Sequence, residues 1–277
     1  MIAIVLALAA TAPDKVDVRP AADIAVTTVA AVGFLVPQIF QDELLPAHCR
    51  ICDGPDNTGL PGTGSRGSLN AVDAWFHDSM TGWIMSRNTA DTMSHVWAYV
   101  VTPAFAFTAA FAATGPYASD GAGWRAAAII EESALVSAAL VQGLKFVTVR
   151  KRPFVRYGTG ETSGSYDVNS SDTRTSLPSG HTAWVTSLAV AAATTVTLQE
   201  SPAAPWVWGG AAVASISVAS FRMIAEKHYF TDVAAGALIG GACGVVIPLL
   251  HKRGGPLSTP AVSVGASGPA LTVSGMF

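Results

Sequence analysis

The chain has 277 residues, of which 50% are hydrophobic and only 13% are charged, and its mean hydropathy is +0.41. Soluble domains carry a charge on about a quarter of their residues, so this composition argues against an ordinary water-soluble protein. The formal net charge of −3 gives no basic field, which argues against nucleic acid as a partner and requires any anion binding to be local.

The first 21 residues begin with a short apolar stretch, Met1–Ala12. Its end, Ala10-Thr11-Ala12, has the small residues of a signal-peptide cleavage site, and Pro13 follows. No basic residue precedes the apolar stretch. The segment 1–21 is therefore predicted to be a signal peptide, an uncleaved N-terminal segment or the start of a cloned fragment.

Apolar stretches then recur along the chain, each close to the roughly 20 residues that cross the hydrocarbon layer as a helix. They are Ala22–Phe40, Ser94–Gly115, Ala126–Val149, Ala183–Leu198, Ala203–Ser220 and Asp232–Leu250. A large soluble helical bundle is the alternative, but uncharged runs this long and this frequent argue against it. We expect an all-α integral membrane bundle of about six transmembrane helices in residues 22–250.

Two features of these stretches and their connections add detail. Glu131 and Glu132, inside the third stretch, are expected to face the bundle interior or to lie near an interface. In the connection 41–93, the apolar and aromatic residues of Leu69–Phe76 fit a short amphipathic helix at the membrane interface, with Trp75 and Trp83 as anchors.

The three cysteines are too few for a disulfide scaffold. Cys243 lies in an apolar run, where it is expected to pack as a small hydrophobic residue. Cys49 and Cys52 have C-x-x-C spacing, which allows a disulfide, two free thiols or part of a metal site. No second pair with zinc-site spacing follows, so no metal is predicted, and a disulfide would require an oxidising compartment.

The first of three polar clusters lies at the end of the third stretch, where Lys145 is followed seven residues later by Arg152-Pro153. Seven residues are about two helical turns, so both side chains are expected on one side of the helix, which Pro153 then ends. Arg150 and Lys151 fall on other faces and are interpreted as ordinary basic residues at a membrane edge.

The second cluster, residues 176–182, reads Ser-Leu-Pro-Ser-Gly-His-Thr directly before an apolar helix. Pro178, Ser179 and Gly180 predict a turn into the helix N-terminus, where free N–H groups and the helix dipole favour an anion. The pattern therefore indicates a phosphate site. The alternative is that Ser179 only caps the helix and His181 is an ordinary polar residue of its first turn.

The third cluster consists of Arg222, His228 and Asp232. His228 and Asp232 are four residues apart, so on a continuing helix the carboxylate can hold one imidazole nitrogen as N–H. The other nitrogen is then free to attack an electrophile. The alternative is a His/Asp pair on either side of a surface loop, but three such clusters, each at a helix end, favour a functional site.

Taken together and in this order, the clusters resemble the signature of the type 2 phosphatidic acid phosphatase (PAP2) superfamily, which also includes bacterial class A acid phosphatases and vanadium haloperoxidases. The resemblance covers residues 126–250. One position differs, because the family usually has serine directly before the arginine of the third motif. Phe221 stands there and Ser220 lies one residue earlier, so we expect a small, indirect effect on the site.

The resemblance implies a metal-independent phosphatase without a cofactor that works through a phosphohistidine. His228 is the expected nucleophile, Asp232 is expected to orient it, and His181 is expected to protonate the departing alcohol. The residues expected to bind phosphate are Lys145, Arg152, Ser179, Gly180 and Arg222.

Polar residues outside the clusters receive less specific predictions. The stretch Phe154–Thr175 is long for a connection between helices and is expected to be a solvated loop or a lid, with Arg156 and Arg174 available to a head group. Residues 251–277 are expected to form a flexible tail. The histidines expected at the surface or at an interface are His48, His77, His95 and His251.

The predicted topology places the clusters on one side of the membrane and Arg125 and His251-Lys252-Arg253 on the other. By the positive-inside rule the site is expected to face the periplasm of a bacterial inner membrane. A cleaved signal peptide followed by a spanning first helix would reverse this orientation. Either the start is not cleaved, or Ala22–Phe40 does not cross the membrane.

A site near the head groups suits an amphiphile with its tail in the bilayer, and the expected partners are membrane lipids and a lipid phosphate. Phosphatidic acid, phosphatidylglycerol phosphate, a polyprenyl diphosphate and lipid A phosphate all fit this description. A lipid phosphotransferase, a vanadium-dependent haloperoxidase and a non-catalytic membrane protein stay open as alternatives.

Overall fold

The structure is a computed structural model that describes residues 15–51, 69–82, 84–114 and 121–255, together with the backbone of two short strands. In chain order the helices are α1 (Pro20–Ile39), α2 (Gln41–Leu44), α3 (Ala71–Met80), α4 (Arg87–Val96), α5 (Thr102–Thr114), α6 (Ala122–Thr148), α7 (Pro153–Arg156), α8 (Gly180–Leu198), α9 (Ala204–Ile224) and α10 (Phe230–Leu250). A π-helical turn, Trp97–Val101, joins α4 to α5, and 3₁₀ turns lie at Gly164–Tyr166 and Ser171–Arg174.

Five helical segments of the described chain are long and apolar enough to cross a membrane: α1, the continuous α4–α5 segment Arg87–Thr114, α6, α9 and α10. The predicted all-helical membrane bundle is therefore confirmed, and its predicted stretches coincide with these helices. The largest difference lies at Arg87–Met93, which is helical although its polar residues hid it from the apolar pattern.

The remaining long helix, α8, lies in the middle of the bundle, packed against α5, α6, α9 and α10. Alanine, serine and threonine form most of its buried surface. Because protein rather than lipid surrounds it, α8 does not need the apolarity of the five other segments. It is the sixth of the predicted membrane helices and the one enclosed by the others.

Glycines on α10 allow it to cross α8 at close range. A Cβ on Gly236 would lie 2.5 Å from the carbonyl oxygen of Ser179, and one on Gly240 would lie 2.3 Å from that of Ala183. Small residues spaced by four let the backbones of membrane helices approach in this way. The N–H of Ser179 also donates to the backbone oxygen of Asp232 at 2.9 Å, so the N-termini of the two helices lie side by side.

The opposite end of the bundle joins the beginning of α1 to the end of α10. The N–H of Asp17 donates to the carbonyl of His251, and the N–H of Arg253 donates to the carbonyl of Lys15, both at 2.8 Å. From this end α1 runs the whole length of the bundle. The predicted stretch Ala22–Phe40 therefore does extend from one end of the molecule to the other.

The predicted tail, 251–277, contains an antiparallel hairpin of β1 (Val262–Gly265) and β2 (Gly268–Leu271). This hairpin differs from the expected flexible tail, and the alternation of valine with small residues in β1 is its sequence signal. His251 differs too, because it is buried rather than at the surface.

In the connection before α4, α3 forms where the amphipathic helix was predicted, and the side chain of Asn70 caps it by accepting the N–H of Asp73 at 2.8 Å. Cys49 is disulfide-bonded and Cys243 is a buried free thiol. Cys52, Trp83 and the proposed signal segment up to residue 14 lie outside the described residues.

Candidate active site

A cavity of about 450 Å³ opens at the end of the bundle where α6 and α9 end and α8 begins. The three clusters contribute the following residues to its lining: Lys145, Arg152, Gly180, His181, Arg222 and His228. The apolar part of the lining comes from Phe34, Ala98, Ala138, Val141 and Trp184. Segments that are far apart in the sequence thus converge on one cavity that is cationic at one side and apolar at another.

The first cluster reaches the cavity by a different route from the predicted one. Helix α6 ends at Thr148, and Val149 leaves it in the left-handed region with φ 43°. Arg152 therefore lies beyond the helix. The prediction that Lys145 and Arg152 project from one side of the same helix is wrong. Arg152 is held in place by Asp172, whose carboxylate accepts from Nη2 at 2.6 Å and whose carbonyl accepts from Nε at 2.7 Å.

The second cluster lies at the N-terminus of α8, as predicted. Ser179 precedes the first helical residue, and its buried hydroxyl lies 3.0 Å from the hydroxyl of Thr182 rather than capping a backbone N–H. A Cβ on Gly180 would lie 3.5 Å from Lys145 Nζ. The ammonium thus lies against the helix N-terminus, where both charges favour an anion.

The third cluster also differs from its prediction, which placed His228 and Asp232 one turn apart on a helix. His228 lies in the connection between α9 and α10, so it is not one turn from Asp232 on a shared helix. The nearest acceptor of its Nδ1 is the carbonyl of Ser176 at 2.6 Å, whereas Asp232 Oδ2 is 3.8 Å away. A carbonyl only accepts, so Nδ1 carries the proton and Nε2 keeps the lone pair.

The sequence model of the PAP2 superfamily matches residues 126–255, which contain all three clusters. The chain is therefore PAP2-like over this region. No curated protein and no solved structure shows a significant match to it. The long apolar helices are compatible with the membrane-bound branch of the PAP2 superfamily, whose membership indicates a phosphatase-type activity.

Asp232 is connected to His228 mainly through a third residue, Ser176. Its Oδ2 accepts the hydroxyl of Ser176 at 2.5 Å and the N–H of Tyr229 at 2.9 Å. The backbone carbonyl of Ser176 is the group that accepts from His228. Ser176 belongs to the second cluster but was not predicted to join Asp232 to His228, since a carbonyl has no sequence signature.

The interpretation of Arg150 as an ordinary basic residue at a membrane edge is wrong, because the residue is buried. Its side chain is 4% exposed, and it donates to Asp232 at 2.6 Å, to Thr231 at 2.7 Å and to Asp73 at 2.9 Å. Since α6 ends at Thr148, the helical face used to exclude Arg150 does not exist. Asp73 comes from α3, and no local pattern could have revealed this partner.

His181 lies in the first turn of α8 beside a second histidine. Its Nε2 is 3.0 Å from Nδ1 of His95, whose Nε2 is 3.7 Å from Asp91. His95 is exposed, as predicted, and it also lines the cavity. Arg222 donates from Nη1 to Asp91 at 2.7 Å, while its buried Nε has no hydrogen-bond partner among the described residues.

The electrostatics of the cavity favour a neutral His228 among cations. Burial first, and then the charges of Arg152, Arg222 and Lys145, lower the pKa of His228 well below its ordinary value. The His228 imidazole is therefore neutral at pH 7. Burial opposes ionisation of Asp172, yet Arg152 and Lys145 hold its pKa well below the usual range.

Lys227 is a further cation of the lining that the motifs did not reveal. Its ammonium donates to Ser165 and lies 4.0 Å from the centre of the Tyr166 ring. Burial, followed by the charge of Arg152, lowers the pKa of Lys227 to about 8. Lys227 directly precedes His228, so the connection between α9 and α10 positions both residues.

The stretch Phe154–Thr175 forms part of the wall of the cavity. Phe154 and Tyr166 are buried and pack edge to face with ring centres 5.4 Å apart, while Ser165 and Asp172 line the cavity. In the described part of the chain, the cavity lining does not include Arg156 or Arg174, which were expected to be available to a head group.

Proposed function

We propose that the protein hydrolyses a lipid phosphomonoester or diphosphate without a metal ion, through a phosphohistidine. The observation that carries the proposal is the placement of His228 Nε2, which has a lone pair and lies 3.5 Å from Nη1 of Arg152 in a cavity lined by cations. A neutral imidazole can attack phosphorus, and the surrounding positive charges attract the phosphate group.

In the first step His228 Nε2 forms a bond to phosphorus, and the bond from phosphorus to the leaving oxygen breaks. The Nδ1–H donates to the carbonyl of Ser176 throughout, and the nearby carboxylate of Asp232 offsets the positive charge that the ring acquires. His181 gives its proton to the leaving oxygen. The products of this step are the free alcohol, or the shorter phosphate, and a phosphohistidine.

In the second step a water molecule attacks phosphorus while His181 accepts one of its protons. The bond between phosphorus and Nε2 breaks, which returns the electron pair to His228 and releases phosphate. Both steps use the same two histidines in opposite senses, as microscopic reversibility requires.

Charge on the phosphoryl oxygens grows during both steps, and donors already aimed into the cavity stabilise it. Arg222 Nε is buried without a partner among the described residues, so it is available to an oxygen of the substrate. Lys145 lies against Gly180 at the N-terminus of α8, which places an ammonium and backbone N–H groups on one anion. With Arg152 and the hydroxyl of Ser179, these groups make up the proposed phosphate site.

The lipid part of the proposal rests on the apolar lining. Phe34 of α1, Val141 of α6 and Trp184 of α8 lie in the same cavity as the cations. A free sugar phosphate or inorganic ester would leave this surface without a partner, whereas an acyl or prenyl chain would cover it. Membrane lipids bearing a terminal phosphate or diphosphate are therefore the proposed substrates.

The orientation proposed is the bacterial inner membrane with the cavity facing the periplasm. The end opposite the cavity carries the basic residues Lys15, Arg19, Arg125, Lys252 and Arg253. Cytoplasmic loops are enriched in lysine and arginine, which supports this direction. The disulfide at Cys49, which lies in a connection at the cavity end, suits an oxidising compartment.

The test is phosphate release by detergent-purified protein from a panel of lipid phosphates, with EDTA present and size-exclusion elution as a check of folding. We expect release by the wild type and by a control with the exposed His48 replaced, His48→Ala. His228→Ala should show no release, and wild type quenched at alkaline pH should carry labelled phosphate. Phosphate passed to an added alcohol would indicate a transferase, and full activity of His228→Ala would contradict the mechanism.

A further inference from the structure

A second cluster of ionisable side chains lies at the end of the bundle opposite the cavity. Asp23 of α1, Glu132 of α6 and His251, which follows α10, place one oxygen or nitrogen each within 4.8 Å of one another. His251 and Glu132 are 4% and 6% exposed. Helix α10 alone separates His251 from His228 by about 30 Å, so this cluster has no contact with the phosphatase chemistry.

The histidine of this cluster presents a lone pair to the two carboxylates. Its Nδ1 lies 2.9 Å from the carbonyl of Ile247, to which it donates, so Nε2 of the neutral ring carries no proton. Nε2 is buried and has no hydrogen-bond partner among the described residues, although Asp23 Oδ1 and Glu132 Oε2 are 3.3 and 3.6 Å away. A backbone carbonyl that fixes the far nitrogen is the usual outer contact of a metal-bound histidine.

Two of the three separations match the edges of a tetrahedral zinc site. With zinc–ligand bonds of about 2.0–2.2 Å, two corners of a tetrahedron lie about 3.3–3.6 Å apart. Those are the separations of Nε2 from the two carboxylate oxygens. Imidazole favours zinc over magnesium, which prefers an octahedral set of oxygens and retains its waters.

The surroundings of the cluster also suit a cation. Asp23 and Glu132 place two carboxylates beside the His251 ring, 3.3 and 3.6 Å from its Nε2. Lys252 and Arg253 follow His251 but are exposed. Carboxylates buried in a membrane bundle are usually paired with a cationic partner.

We propose that Asp23, Glu132 and His251 form a zinc site that joins α1, α6 and α10 at the membrane face opposite the cavity. Its role is structural. Helix α1 packs mainly on α6, so the cation fixes the beginning of α1 to two other helices. No metal is predicted from the sequence, because the three ligands are separated by 109 and 119 residues and follow no zinc-site spacing.

The test uses the full chain in detergent, purified with a tag that contains no histidine, stripped with EDTA and freed of chelator. Zinc titration against a chromophoric chelator should give one tight equivalent per wild-type chain, and zinc should raise the melting temperature more than magnesium does. His251→Ala should weaken zinc binding by at least the roughly 10–100-fold that loss of an outer-shell partner costs.

Two further variants make the outcome decisive. Asp23→Asn changes the most accessible ligand and should fold if His251→Ala does not, again with weaker zinc binding. His48→Ala, the matched loss of an exposed histidine, should bind zinc like the wild type. Equal zinc affinity in Asp23→Asn and wild type, or no tight equivalent in wild type, would overturn the proposal. Neither readout depends on phosphatase activity.

Discussion

At the residue scale, Arg150 illustrates how a buried arginine can stabilise a site that it does not line. Arg150→Ala would leave the carboxylates of Asp73 and Asp232 buried without their shared cation. Removing one partner of a buried ion pair costs about 3–5 kcal/mol, so we expect a clearly lower melting temperature and weak activity. Thermal unfolding in detergent measures the first and phosphate release the second.

The neighbouring lysine provides the control for this prediction. Lys151 is only partly buried and directly follows Arg150 in the chain. Lys151→Ala should melt within about 1 kcal/mol of the wild type, as is usual for substitutions away from buried networks. Equal destabilisation by both changes would show that the buried ion pairs of Arg150 do not account for the loss of stability.

Lys227 is expected to give the activity an alkaline limit. Its pKa of about 8 means that the ammonium loses its charge as the pH rises through that value, which weakens the attraction for an anionic substrate. Because kcat/KM reports the free enzyme, it should fall above pH 8. Lys227→Arg should move this fall to higher pH, since arginine stays protonated. If kcat/KM of the variant falls at the same pH as that of the wild type, the titrating group is not Lys227.

At the element scale, the crossing of α8 and α10 sets the distance between the two histidines of the proposed reaction. Gly240→Ala would place a methyl group 2.3 Å from the carbonyl oxygen of Ala183 and force the helices apart. A shift of about 1 Å in a catalytic group can cost about 100-fold in rate. We expect kcat to fall by about 10-fold or more and the melting temperature to decrease.

The adjacent glycine tests whether the lower kcat comes from close packing between α8 and α10 or from the exchange of glycine for alanine within a helix. A Cβ on Gly241 would meet only Thr186 Cγ2, at an ordinary 4.0 Å. Gly241→Ala should therefore keep wild-type kcat and melting temperature. If Gly240→Ala behaves the same way, close contact between α8 and α10 is not what positions the site.

Elements were more predictable from the sequence than their ends. Apolar runs near 20 residues located every long helix, because the membrane core demands that length. The end of α6 was not predictable, because Val149 adopts the left-handed region, which a β-branched residue rarely enters and which the sequence therefore does not indicate. Arg152, His181 and Arg222, which the sequence groups by their motifs, line one cavity. The contact of His95 with His181, 86 residues away, has no signal in the sequence.

At the scale of the whole molecule, the cavity and His251 lie at opposite ends, so the proposed orientation can be measured directly. In a background without native cysteines, Asn169→Cys lies in an exposed position of the cavity wall and Arg253→Cys in an exposed position at the other end. A membrane-impermeant maleimide should label position 169 in intact cells and position 253 only after lysis. The reverse pattern would place the cavity in the cytoplasm.

The position of α1 has a consequence for how substrate arrives. Phe34 and Gln38 of α1 share the cavity lining with Tyr99, which belongs to the turn between α4 and α5, so one wall is a seam between helices whose outer faces meet lipid. A lipid would reach the phosphate site by lateral diffusion within the leaflet. In mixed micelles, the rate should then follow the mole fraction of substrate at the surface, and adding detergent at constant substrate should slow the reaction in proportion.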